Sequence, residues 1–389
     1  TNISMKKIVF CFLGLLAVLY TASAQSYTFN HGPYLQELSE HAVTFVFTTS
    51  DKGFSWVEVK PDGGEAERHY TVRNGLRDAY NTFNVIRVEN LRPDTRYQYR
   101  LCSKQIADFQ PYKVTFGDSI VSPWRRFSTP DPKATACSFI ALSDMHQQPD
   151  KLGRLLNQAG VGSADMIFYV GDMMNYYDNE ETPFRSFIDK SVELFASEKP
   201  FVLVRGNHET RGNMAREYAR YVPKSSGKYY GAYRVGDIMF IVFDCGEDKP
   251  DDFWVYAGLT DFDGYRTEQA AWFGELIRSK AYKSAKWRIV MNHFPPLSHM
   301  ESDNPERHGI QDITDKFLPL YNQAKIDLMI SGHTHAYEFM SPDKYDRLTF
   351  PVIVNSTESV ARIDIDGRTL KAKVTDTGGN TLKEFTISK

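Results

Sequence analysis

Cysteine is scarce in this chain, with four in 389 residues. Cys11 lies in an N-terminal apolar run, which leaves Cys102, Cys137 and Cys245 dispersed over the remainder. That excludes a disulfide scaffold and leaves room for at most one bridge with a thiol to spare. An excess of charge of one sign is also missing: 46 Lys and Arg stand against 49 Asp and Glu, a formal charge of −3. Nothing in that balance calls for a nucleic-acid partner, although a local basic groove would be compatible with it. No compositional bias of the disordered, collagenous or coiled-coil kind is present. What remains is an ordinary globular composition, 42% apolar and 14% aromatic, in a chain long enough for two domains.

The N-terminus carries the pattern of a targeting segment over residues 5–24. Lys6 and Lys7 form a basic start, Ile8 to Tyr20 is nearly all apolar, and Ala22-Ser23-Ala24 offers small residues for cleavage before Gln25. The apolar run is short for a bilayer span and no stop-transfer pattern follows. Export to the periplasm or the cell exterior is therefore expected, with no membrane insertion of the mature chain. No Cys follows the run at the cut, which argues against a lipid-modified end.

Residues 27–130 read as all-β. Ala42 to Phe47 is an apolar β-forming run, Ser55 to Lys60 alternates and breaks at Pro61-Asp62-Gly63-Gly64, and Asn81–Val88 and Arg96–Cys102 alternate again. Short strands at this spacing favour a β-sandwich. The stretch Leu91 to Tyr99, Leu-x-Pro-x-Thr-x-Tyr-x-Tyr, resembles the corresponding segment of fibronectin type III domains, which implies that Tyr97 packs at a sheet corner. Ser128-Thr129-Pro130-Asp131-Pro132-Lys133 reads as a linker. From 134 to 389 the pattern changes to compact apolar runs alternating with helical periodicity. The runs are 139–142, 166–170, 201–204, 238–243, 289–291 and 328–330. Helices are expected at about 183–197, 267–281 and 312–322. Runs without polar alternation imply sheets covered on both faces, so a layered α/β domain is expected, closed by antiparallel strands from Ala361 to Ile387.

Polar residues gather where these runs end: Asp144-Met145-His146, Gly171-Asp172, Gly206-Asn207-His208-Glu209, Asn292-His293 and Gly332-His333-Thr334-His335. Ligands collect at the carboxyl ends of strands in open sheets. Taken alone, each of these clusters is as compatible with a hydrogen-bonded turn as with a ligand. Together, four histidines, two aspartates and an asparagine in equivalent positions fit two divalent or mixed-valence cations held by N and O donors (Fe, Zn or Mn). Asp172 is the best bridge, because a carboxylate has two oxygens to share between two cations. Asp144, His146 and His335 would complete one site, and Asn207, His293 and His333 the other. No thiolate belongs to the set, which disfavours a structural zinc site.

The order Asp-x-His, Gly-Asp, Gly-Asn-His-Glu, His, Gly-His-x-His resembles that of the calcineurin-like metallophosphoesterases, and implies the same ligand roles. A β-sandwich ahead of the catalytic domain further resembles the purple acid phosphatases, as does Val290-Met291-Asn292-His293. The resemblance implies that His208 contacts phosphate and can protonate the leaving oxygen, with Asn207 close to the substrate. His299-Met300-Glu301 is similar to a substrate-side stretch of that subgroup and makes His299 a candidate for substrate binding. Two positions depart from the purple pattern. His146 stands where that subgroup has glycine, and Asn175 stands where it has the iron-binding tyrosine, with Tyr176 one residue late. His146 is thus expected to replace the tyrosinate, giving a colourless enzyme. Tyr176 and Tyr177 are candidates for lining the pocket.

The expected function is a dinuclear phosphoric ester hydrolase of small molecules, a phosphomonoesterase in which hydroxide on the cations, about 3.5–4 Å apart, is the nucleophile. The alternatives are a phosphodiesterase on the same site, and an exported binding protein with an inactive scaffold. Glu209 would orient His208 or cap the following helix. The acidic and aromatic stretch 248–265 would be either a substrate-gating loop or an insertion packed on the β-domain.

Overall fold

The computed structural model describes residues 26–297, 299–300 and 303–389. The targeting segment expected at 5–24 lies outside the described residues. Among those described, no helix is long and apolar enough to cross a membrane.

The N-terminal unit is built on one long strand. It comprises β1 (Tyr34–Gln36), β2 (Val43–Pro61), β3 (Glu67–His69), β4 (Val72–Arg73), β5 (Leu76–Arg77), β6 (Asn81–Val88), β7 (Arg96–Gln110), β8 (Lys113–Val121) and β9 (Arg125–Ser128). The two apolar runs read as separate strands are the two halves of β2, because the polar residues between them stay extended. The first half pairs with β1 and β6, the second with β3 and β7, and the register shifts between Thr48 and Gly53. Both halves turn alternate side chains into one core: Phe45 and Phe47 from the first, Val57 and Val59 from the second, with Tyr99, Leu101 and Phe127. At the edge of this core Tyr97 is buried, and its hydroxyl accepts the Arg92 N–H at 2.8 Å.

The larger unit holds β10 (Ala136–Leu142), β11 (Met166–Val170), β12 (Phe201–Val204), β13 (Gly231–Val235), β14 (Ile238–Val242), β15 (Trp287–Met291), β16 (Leu328–Ser331), β17 (Glu338–Met340), β18 (Val352–Val354), β19 (Ser359–Asp366), β20 (Thr369–Asp376) and β21 (Thr381–Ser388). Its helices are α1 (Pro149–Gln158), α2 (Asp189–Leu194), α3 (Tyr218–Tyr221), α4 (Phe262–Leu276), α5 (Lys280–Ser284) and α6 (Arg307–Ala324). The strands form two six-stranded sheets, ordered β12-β11-β10-β19-β20-β21 and β13-β14-β15-β16-β18-β17. Phe139, Phe168 and Val170 of the first meet Phe240, Ile289 and Ile330 of the second in a shared core. The intervening residues point outward: Ile140, Leu142 and Ile167 onto α1, and Ile241, Val290 and Met329 onto α4 and α6. Each strand is thus apolar on both sides, which is why these runs lack alternation. The result is a helix–sheet–sheet–helix stack.

Local departures have local causes. Residues 184–188 form a π turn that leads into α2. Helix α4 begins five residues before the expected start because Asp251, across a loop, accepts the N–H groups of Phe262 and Asp263 at 2.8 Å each. Strand β19, expected at an edge, pairs with β10 and leaves β21 as the edge. Cys102, Cys137 and Cys245 are free and buried. The two units are tied at buried backbone positions: Leu35 N–H donates to Ala196 O at 2.9 Å, Tyr99 OH to Ser197 O at 2.6 Å, and Tyr34 OH to Tyr221 O at 2.8 Å.

Candidate metal centre

Parallel pairing aims the carboxyl ends of β10, β11 and β12 in one direction, and those of β15 and β16 in another sheet end at the same edge. The loops that leave them carry all seven residues read as ligands. Asp144, His146, Asp172 and His335 form one group, and Asp172, His293 and His333 a second; within each, one donor atom per residue lies within 4.8 Å of the others. Asp172 belongs to both. The Asn207 amide joins the second group, 3.3 Å from Asp172 Oδ2, 3.2 Å from His293 Nε2 and 3.3 Å from His333 Nδ1.

The backbone is bent to deliver these side chains. Asp144, His146, Asp172, His333 and His335 have φ of 58°, 45°, 56°, 73° and 59°. This left-handed region is uncommon outside glycine, and such strain gathers where a site is over-determined by its surroundings. The loops interlock through main-chain bonds, Asp144 N–H to Gly171 O at 3.0 Å and Gly332 N–H to His293 O at 2.9 Å. Gly171 combines φ of 88° with a position where a β-carbon would strike the His293 ring and the Gly206 backbone. Replacing Gly171 by Ala should therefore push His293 out of place. The expected result is a loss of at least about tenfold in metal affinity, on the scale of a disturbed ligand-supporting contact, read by metal titration of the purified variant.

Glu209 has a part that its spacing did not reveal. Its fully buried carboxylate accepts the N–H groups of Asp172 (2.9 Å), Met173 (2.8 Å) and Gly206 (2.8 Å). It clamps the Asp172 loop to the Asn207 loop, and neither orients His208 nor caps a helix. His208 is instead oriented by the Asn175 carbonyl, 2.8 Å from Nδ1, which leaves Nε2 facing Asp172 Oδ2 at 3.9 Å. Asn175 also puts its amide oxygen 3.1 Å from His146 Nδ1. The residue at the tyrosine position of the purple subgroup thus supports the histidine.

Other candidates fall elsewhere. His299 pairs with Glu338 at 3.3 Å and lies against Tyr345, with its side chain 60% exposed. Tyr177 is buried against Tyr221, whereas Tyr176 is 57% exposed. The 248–265 segment directs its bonds into the catalytic unit, to Arg211, Glu247 and the start of α4.

Burial and charge oppose one another across the site. Burial works to raise the Asp172 carboxyl, but the neighbouring His293 imidazolium holds it well below the usual range. Burial works to lower His293, and Asp172 and Asp144 override it and push the ring up to about 10. Burial raises Asp144 to about 6 and lowers His146 to about 4 and His333 to about 3. These residues suit cations on three counts. His146 Nε2 faces His335 Nε2 at 3.0 Å, and His146 Nδ1 is taken up by Asn175, so two ring nitrogens meet where a shared cation would satisfy both. The Asn207 amide is crowded by a carboxylate and two imidazoles. The set is all N and O donors, suited to Fe, Zn or Mn.

Two stacked sheets with N and O donors converging from five strand ends define a dinuclear metallophosphoesterase architecture. The chain belongs to the calcineurin-like phosphoesterase family, which it matches over residues 137–337. Its organisation is that of the purple acid phosphatases. Purple acid phosphatase 21 of Arabidopsis thaliana is 22% identical over 277 residues, covering 68% of this chain and 55% of that protein. A purple acid phosphatase of Glycine max is 22% identical over 352 residues, covering 83% and 70%. The chain spans about half the length of the curated relatives it matches first, 44%, 55% and 52%. Among solved structures, purple acid phosphatase PPD1 from yellow lupin superposes with a TM-score of 0.65 at 14% identity, over 92% of this chain and 74% of that one. A structure of PhoD superposes at 0.61 with 12% identity, over 92% and 89%. The family implies a dinuclear metal centre, and the two side-chain groups around Asp172 are where this chain could hold one.

Proposed function

We propose that this chain is a metal-dependent hydrolase of small-molecule phosphoric esters, with monoesters as its substrates. The observation that carries this is the sharing of Asp172 between two donor groups. In this reading Asp144, His146 and His335 would hold one cation and Asn207, His293 and His333 the other, with Asp172 available to both. Bound there, a cation pair supplies neutralisation of phosphate oxygens and a lowered pKa for water at the site.

The chain's own residues do the rest. Asn175 fixes the His208 ring through Nδ1, so Nε2 is the nitrogen presented to substrate beside Asp172. Nε2 accepts from Arg211 Nη1 at 3.0 Å and burial lowers the ring's pKa, so His208 passes a proton to the oxygen of the departing alcohol only once substrate displaces that contact and Nε2 takes up a proton. His208→Ala should lower kcat by about 10²–10⁴-fold, the usual worth of such a group, while two metal equivalents stay bound. Loss of a metal equivalent would make His208 a ligand instead. Comparing p-nitrophenyl phosphate with bis-p-nitrophenyl phosphate on one preparation tests the monoester assignment, and faster turnover of the diester would overturn it.

His146 supported by Asn175 favours a centre without tyrosinate. The metal-loaded protein is expected to be colourless, and a strong visible absorption band that vanishes on reduction or chelation would contradict this. His299, paired with Glu338 at 3.3 Å, is kept only as a candidate for substrate binding. We also read residues 27–130 as a fibronectin type III-like unit, supported by the two-way pairing of β2 and the Tyr97–Arg92 corner bond, and 134–389 as the catalytic domain. Export to the periplasm or cell exterior, supported by the 5–24 pattern, completes the proposal.

A further inference from the structure

Arg211 carries no motif, yet it joins the metal centre to a second feature of the fold. Its Nη1 lies 3.0 Å from His208 Nε2, the nitrogen that is itself 3.9 Å from Asp172 Oδ2. Its other nitrogens grip Glu247 at two points, both 2.9 Å. Beyond Arg211 opens a cavity of about 1110 Å³, walled by Tyr229, Tyr256, Phe262 and Tyr265 with Val255 and Leu259. Two short contacts therefore separate the bridging carboxylate from the cavity wall.

The chemistry of that wall is specific. Four of the cations around it are matched by acids, Arg205 by Asp244 (2.7 Å), Arg211 by Glu247, Lys228 by Glu268 (2.6 Å) and Lys249 by Asp248 (2.9 Å), and Arg216 on the same wall has no acid partner among the described residues. Paired charges offer little to a second anionic group on the ligand. What the cavity does offer is aromatic and aliphatic surface, and at its rim Leu259 is 69% and neighbouring Trp254 80% exposed. Its volume lies just above the usual range of ligand sites, about 300–1,000 Å³, and a phosphate with a small alkyl arm would leave it nearly empty. The side matters too. If His208 protonates the leaving oxygen, the departing alcohol lies on the His208 side of the phosphorus, toward Arg211 and the cavity.

We propose that this cavity is the leaving-group pocket, and that the substrates are phosphoesters of bulky aromatic alcohols. The proposal rests on the phosphoesterase reading above. The test compares phenyl phosphate with 4-biphenylyl phosphate, whose alcohols have similar acidity and so similar intrinsic reactivity. The metal-loaded wild type should show kcat/KM about tenfold or more higher for the biphenylyl ester, since added apolar contact in a pocket is worth that much. Thr260→Trp, which narrows the cavity from its wall, and Tyr265→Ala, which removes a ring from it, should each bring the ratio near one, chiefly by lowering kcat/KM for the biphenylyl ester. A wild-type ratio near one, or a high ratio kept by both variants, would overturn the pocket while leaving the phosphoesterase intact. Failure of the metal-loaded wild type to hydrolyse either ester would instead overturn the underlying reading and the pocket with it.

Discussion

Asp172→Asn should abolish turnover while the protein stays folded. The side chain is 1% exposed, lies 3.0 Å from His293 Nε2 through Oδ2, and accepts the His208 N–H through Oδ1 at 2.9 Å. Asparagine has the same shape and keeps one carbonyl oxygen for the His208 bond, so the loop retains its anchor. It lacks the charge and the second oxygen needed to serve two cations at once. Removing a single preorganised donor from an active site costs about 10²–10³-fold in kcat, so at least about 10³-fold is expected where the group supports both metals. Circular dichroism should be unchanged and the metal content should fall below two equivalents. A rate within a few-fold of wild type, in protein shown to be pure, would remove the proposed site.

Glu209→Ala should be the most destabilising single change near the centre, although the residue touches no proposed substrate. Truncation leaves the N–H groups of Asp172, Met173 and Gly206 without their acceptor in a fully buried position. An unsatisfied buried donor costs about 1–3 kcal/mol, and three together amount to a loss on the order of 5 kcal/mol, a drop of about 10 °C or more in Tm. Glu209→Gln keeps the shape and one strong acceptor and should recover more than half of that loss. The charge itself has a cost in this setting, since burial, then the nearby Asp172 carboxylate, pushes the Glu209 carboxyl up to about 7. Calorimetry of the two variants distinguishes a backbone clamp from a catalytic acid: a Tm equal to wild type for the alanine variant would refute the clamp.

The contrast between these two acids explains what could be seen in advance. Asp172 was legible because parallel strands convert a repeated position in sequence, just after each apolar run, into one place in space. The same rule brought Asp144, Asn207, His293 and His333 to a common edge from two different sheets. Glu209 acts through main-chain N–H groups that leave no trace in residue type. Its position in Gly206-Asn207-His208-Glu209 marked it as important without indicating what it holds. Arg211 and the cavity behind it were hidden for another reason, because Glu247 and the tyrosines that define them are brought together only by tertiary packing. The early start of α4 was missed because the carboxylate that caps it, Asp251, is contributed across a loop. In the β-unit, alternation located Asn81–Val88 to the residue, whereas the far ends of β7 and β8, exposed on both faces, carry no such period.

Anomalous diffraction from crystals of the metal-loaded protein measures the decisive quantity, the number and spacing of the cations. Two peaks about 3.5–4 Å apart are expected, with a carboxylate oxygen of Asp172 on each, and with His146 rather than any tyrosine beside the first. A single peak, or two that share no ligand, would contradict a bridged pair and the hydrolysis built upon it.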